Sequence, residues 1–233
     1  MKTFIRISIA LLLLFESMGV QASCVVLLHG LARSDNSMKK MENQLLDAGF
    51  TPVNMSYPSR DFSIETLAIK AIEPAVSKCP EGSEINFVTH SLGGILVRQY
   101  LKNHVIENMK RVVMLGPPNK GSEVVDKLRA VPGFQFINGD AGMQLGTGQS
   151  SVPNSLGKAT FDVGIVAGSR SINLFLSFLI PGKDDGKVSI ENTKLNGMND
   201  HLTMPVTHPF MMKNDKVIEQ VIYYFKNGKF RKD

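Results

Sequence analysis

The feature that most restricts this chain is a repeated alternation. Short apolar, β-branched runs are each followed by a segment with helical spacing. Cys24 to Leu28 is one such run, continuous in apolar residues and ending at His29-Gly30. Runs without polar alternation suit strands buried on both faces, the condition of a parallel sheet. Ser37 to Asp47 follows, with Met38, Met41, Leu45 and Leu46 near helical spacing and Gly49 as the stop. Thr51 to Tyr57 is predicted as a second strand, closed by Pro58. Ser63 caps a helix presenting Ile64, Leu67, Ala71 and Ile72, which Pro74 is expected to kink or end. Ile85 to Thr89, Arg111 to Leu115 and Phe161 to Ala167 read as further strands, with Leu202 to Val206 a short sixth weakened by Pro205. A helix is expected from Gly93 onward. Another follows Asn214, with Val217, Ile218, Val221, Ile222 and Phe225 on its apolar face and Gly228 at its end. The alternation predicts one compact α/β domain over residues 23–233: a mostly parallel sheet, helices on both faces and no large cap domain. Such sheets carry their sites at the carboxyl ends of the strands. Residues 130–160, rich in Gly, Ser, Asn and Gln, are expected to be an irregular, mobile insertion.

The amino end does not belong to that pattern. Lys2 and Arg6 precede the apolar run Ile7 to Phe15, and Val20-Gln21-Ala22 resembles a small-residue cleavage site. Residues 1–22 therefore read as a signal peptide, with export to the periplasm or the medium after cleavage near Ala22. An uncleaved anchor is the alternative, disfavoured because the run is short for a span. A lipidated Cys24 is another, disfavoured because Gln21 stands where a lipobox has Leu and no tether separates Cys24 from its strand. The whole chain carries 26 basic and 21 acidic residues, a net +5. Basic residues cluster at Lys226, Lys229, Arg231 and Lys232, but no long basic run with interleaved aromatics suggests nucleic acid. The excess reads as solvated surface, with a transient attraction to anionic membrane as an extra. No obligate protein partner is evident.

Chemistry gathers at the strand ends. In Asn86-Phe87-Val88-Thr89-His90-Ser91-Leu92-Gly93-Gly94 a strand runs through a tight turn into a helix, and Ser91 stands on the turn. A nucleophilic serine needs small residues around it so that strand and helix approach closely; Gly93 and Gly94 meet that need, while Thr89 replaces the usual glycine on the strand side. Ser91 requires a base and a carboxylate to orient it, and a serine on such an elbow takes them in the order serine, acid, histidine. His208, after the sixth strand, is the expected base; His201, before that strand, is the alternative. Asp185, beside Gly186 in the turn Pro181 to Val188, is the expected acid, with Asp184 as its rival. The backbone N–H groups of Leu31 and Leu92 are expected to hold the oxyanion. His29 reads as a brace for its loop.

Leu27-Leu28-His29-Gly30-Leu31, the block around Ser91, Gly116-Pro117-Pro118-Asn119-Lys120-Gly121-Ser122 and Asp185-Gly186-Lys187-Val188 together resemble bacterial lipases and esterases of the α/β-hydrolase superfamily. The chain is also similar to deacylases of glycosylphosphatidylinositol lipids. The resemblance implies a compact serine hydrolase acting on small-molecule or lipid acyl esters, without organic cofactor. Some relatives bind calcium, but no oxygen-ligand cluster here supports a metal. It also makes the strands beginning near Cys24 and Cys79 parallel neighbours, which implies a disulfide between the two. Leu174 to Ile180, and Phe134 with Phe136, either line an acyl pocket or pack as ordinary core. An acyltransferase or amidase with the same residues, and a non-catalytic binding protein on the same scaffold, are the alternative functions.

Overall fold

A computed structural model describes residues 22–232, so the signal peptide assigned to residues 1–22 lies almost wholly outside the described residues. The elements run β1 (Cys24–Leu28), α1 (Lys39–Asp47), β2 (Thr51–Asn54), α2 (Ile64–Val76), β3 (Ile85–His90), α3 (Leu92–Leu101) and β4 (Met109–Leu115). Then come α4 (Glu123–Leu128), α5 (Phe134–Met143), α6 (Val152–Ser155), β5 (Val163–Gly168), α7 (Leu174–Phe178), α8 (Ile190–Thr193), β6 (Asp200–Met204) and α9 (Asp215–Asn227). All six strands are parallel, in the order β2-β1-β3-β4-β5-β6.

β1 shows why the apolar run is continuous. Successive side chains of a strand point to opposite faces, so Val26 and Leu28 enter one core while Val25 and Leu27 enter the other. The first core takes Ile64, Leu67 and Ile72 from α2 with Ile95 and Leu96 from α3; the second takes Met41 and Leu45 from α1 with Val217, Val221 and Phe225 from α9. With both faces covered, an unpartnered polar group there is costly, and β3 carries such groups in the side-chain oxygens of Asn86 and Thr89.

Three expectations needed adjustment. β2 stops at Asn54, because Tyr57 leaves the sheet to pack against His29. Pro74 lies inside α2, yet the helix continues to Val76; so close to the end, the missing donor disturbs only the last turn. Residues 130–160 contain α5, kinked at Gly139, and α6, rather than irregular chain throughout. Cys24 and Cys79 are joined by a disulfide with a Cα separation of 5.6 Å. It lies at the strand starts, the end of the sheet remote from Ser91.

Candidate active site

Ser91 follows β3 and precedes α3 directly, with φ 52° and ψ −117°. A side chain in that region is strained and persists only where its surroundings enforce it. Here enforcement is close packing. A Cβ on Gly93 would stand 2.7 Å from the Leu28 carbonyl oxygen, so only glycine lets α3 start against the end of β1. A Cβ on Gly30 would lie 2.7 Å from His90 Nδ1 and 3.3 Å from Ser91 Cβ. Gly30 thus matters for space beside the elbow. Gly94 faces Thr89, the residue standing where a glycine was expected, and a Cβ there would be crowded by Thr89 Oγ1, Met114 Sδ and Pro117 Cβ, each at 3.2 Å.

The acid turn and the histidine loop meet next to this elbow. His208 Nδ1 lies 2.7 Å from Asp185 Oδ2, and the His208 N–H donates to the Asp185 carbonyl at 2.9 Å. Asp185 Oδ1 accepts from the N–H groups of Lys187 at 3.0 Å and Val188 at 2.9 Å. With both carboxylate oxygens committed and Asp185 fully buried, the ring is held with Nδ1–H toward the acid. In the neutral imidazole Nε2 is then an acceptor. Asp184 is engaged elsewhere: its Oδ1 accepts from Ser177 Oγ and from the Gly186 N–H, both at 2.7 Å. His201 lies within β6, its Nε2 3.0 Å from Thr193 Oγ1. Burial lowers its pKa, and it does not border the cavity that holds Ser91.

That cavity encloses about 440 Å³ and is bordered by Ser91, Asp185 and His208 together with Leu31. Its walls are mostly apolar, with Val125, Phe134, Leu145, Ile172, Leu176 and Val188 prominent. Leu92 is the first residue of α3, so its N–H is among those a helix leaves without an internal acceptor. The structure therefore brings Ser91, Asp185, His208 and the two proposed oxyanion residues to one end of the sheet. Among the described residues no cluster of three or more His, Cys, Asp or Glu side chains is arranged to hold a metal ion.

Several supporting residues carried little signal in the sequence. His29 donates from Nδ1 to the Gly30 carbonyl at 2.9 Å and accepts the Tyr57 N–H on Nε2 at 3.2 Å. Tyr57 stacks on its ring at 4.0 Å, and burial lowers the His29 pKa. His90 donates from Nε2 to the His208 carbonyl at 3.0 Å, tying the His208 loop to the elbow. Burial, then the neighbouring His208, pushes its pKa well down. Gly116, with φ 54°, lies beneath the acid–base pair: a Cβ there would be 2.9 Å from Asp185 Oδ2 and 3.1 Å from His208 Nδ1. Arg98 is buried and bonds only to neutral acceptors: Asn119, Pro153 and Gly157. Desolvation lowers its pKa to about 10. It pins the loop after β4, from which Ser122 Oγ donates to the Lys187 carbonyl of the acid turn at 2.8 Å. Gly116 opens the block Gly116 to Ser122 on which the resemblance partly rests, whereas Arg98 lies in no such block.

No protein-family model matches this chain, and no curated protein sequence matches it either. Solved structures do. The mature lipase BlEst2 of Bacillus licheniformis superposes with a TM-score of 0.67 at 20% identity, covering 89% of this chain and 92% of that one. The esterase EaEST of Exiguobacterium antarcticum gives 0.58 at 17% identity, over 88% and 92% of the two chains. Phospholipase PlaB of Legionella pneumophila gives 0.59 at 17% identity over 74% of this chain, which spans only 46% of that longer protein. The parallel six-stranded sheet and these superpositions show that the chain has the α/β-hydrolase fold.

Proposed function

We propose that this protein hydrolyses carboxylic esters through an acyl-enzyme on Ser91, with His208 as general base and acid and Asp185 orienting it. The observation that carries the reading is the 2.7 Å contact of a fully buried Asp185 with His208 in the cavity that Ser91 enters from a positive-φ elbow. His208 Nε2 takes the Ser91 hydroxyl proton as Oγ attacks the ester carbonyl. The tetrahedral oxyanion accepts hydrogen bonds from the Leu31 and Leu92 N–H groups. Its collapse breaks the ester C–O bond, and the imidazolium returns the proton to the leaving alcohol. Water, deprotonated by the same Nε2, attacks the acyl-serine and releases the acid. Each oxyanion donor in such a site is worth about 3–4 kcal/mol of barrier. The apolar walls suit the acyl chain, and the names of the structural neighbours, lipase and esterase, agree with this chemistry. The Cys24–Cys79 bond fits the export expected from the leader, since disulfides persist in oxidising compartments.

Turnover of p-nitrophenyl esters of graded acyl length is the test. Ser91→Ala should abolish hydrolysis without unfolding the protein, and His208→Ala should fall to a similar residual rate because the pair acts as a unit. His201→Ala should retain most activity. An active Ser91→Ala protein, or a His201 variant as dead as the His208 variant, would overturn these roles.

A further inference from the structure

Six of the twelve exposed large apolar side chains among the described residues lie on two short stretches beside the Ser91 cavity. Phe136 and Ile137 belong to α5; Ile172, Leu174, Phe175 and Phe178 belong to α7 and its approach. Phe136 and Phe178 are each 90% exposed and Leu174 80%. α7 reads Leu-Phe-Leu-Ser-Phe and buries none of its residues, although four of the five are apolar. Both stretches also line the cavity, through Phe134 and Ile137 on one side and Ile172 and Leu176 on the other. The apolar surface is therefore continuous with the mouth. Concentrated exposure of this kind marks a binding face rather than the scatter normal to any surface.

Charge narrows the occupant. Arg33 and Lys187 border the same cavity, and exposed Lys127, Arg129, Arg170 and Lys183 lie on the chain flanking the two stretches. None of these six takes part in an ion pair among the described residues. Between them Asp185 is buried with both carboxylate oxygens bonded and Asp184 is buried with its Oδ1 bonded, so the opposing charges nearby are exposed Asp61 and Asp140 with half-buried Glu123 and Asp126. Burial and the charge of Arg33 both lower the Lys187 pKa, as expected where two cations share one mouth. An apolar face bordered by unpaired cations complements a lipid–water interface bearing anionic headgroups.

We propose that the α5 and α7 side chains form a rim that seats the mouth of the Ser91 cavity on an anionic phospholipid surface. This deepens the ester-hydrolase reading by naming the physical state of the substrate, and its binding half stands independently of catalysis.

Flotation of the Ser91→Ala protein with vesicles separates the two. It should float with equal parts of phosphatidylglycerol and phosphatidylcholine, far less with phosphatidylcholine alone, and progressively less as salt rises. A Phe136→Ser, Phe178→Ser pair added to that protein should cut partitioning at least about tenfold, two apolar insertions being lost. Its far-ultraviolet circular dichroism and melting temperature should stay unchanged, because both side chains are already in solvent. Absence of binding to either vesicle, or equal binding by the altered protein, overturns the proposal. So does a stable dimer in sedimentation that the same pair of substitutions dissociates, since the rim would then join two copies of the chain. Vesicle binding without hydrolysis of any ester by the unsubstituted protein would instead sink the ester-hydrolase reading and leave the docking face standing.

Discussion

Gly116 places a backbone atom where any side chain would press on the acid–base pair. Its φ of 54° belongs to the left-handed region, and its missing Cβ would stand 2.9 Å from Asp185 Oδ2. Gly116→Ala should cost about 1–2 kcal/mol from the backbone alone. It should also lower kcat more than tenfold by displacing His208, with KM less affected; steady-state kinetics beside a thermal melt separates the two losses. Three imidazoles supply a second prediction at this scale. His29, His90 and His201 all have pKa values held below the ordinary 6.5, with burial the first cause in each. The unfolded chain therefore binds more protons than the folded one just below that value, and stability rises with pH through this window. The melting temperature should fall as pH drops below about 6.5, while these groups contribute no slope above it. His90→Gln should flatten the acid limb; an unchanged limb would mean that His90 is not held neutral by the fold. That Ser91, Asp185 and His208 would border one cavity was readable because each lies in a turn past a strand, in the chain order serine, acid, histidine. The bracing by His29, His90 and Arg98 was not, since it depends on contacts between segments up to 118 residues apart.

Among the elements, α9 was the most legible. Its apolar face, Asn214 cap and Gly228 stop all lie within one stretch, and the structure shows Asn214 Oδ1 accepting the Val217 N–H at 3.2 Å. Asn214→Ala should destabilise by about 1 kcal/mol in a denaturant titration without altering ester turnover. The continuous apolar run of β1 was equally plain, because both faces of that strand are buried. The short helices were opaque. α4, α6, α7 and α8 have between 4 and 6 residues, too few for a 3.6-residue period to declare itself. α7 shows the cost of reading composition alone: its apolar letters suggested a pocket lining or a buried helix, and only Leu176 reaches the cavity while the helix buries nothing.

For the molecule as a whole, the disulfide closes a loop with a sequence separation of 55 residues. In the chain-entropy picture this restricts the unfolded state by about 4 kcal/mol. Reduction should then lower the melting temperature by about 10 °C. Activity measured well below the transition should change little, because the bond and Ser91 lie at opposite ends of the strands. Dialysis against a chelator should likewise leave ester turnover intact, since the proposed mechanism draws only on protein groups; a loss that calcium restores would contradict this.

The all-parallel sheet gives the molecule two unlike poles. Every strand starts at one and delivers its chemistry at the other. The described chain enters at the starting pole with Ser23 and Cys24, and α9 returns the far end there, where the Phe230 N–H donates to Asp200 at the head of β6. A fusion partner, a surface linker or a bead joined directly before Ser23 or after Lys232 would therefore sit behind the molecule, leaving the cavity and its apolar rim facing forward.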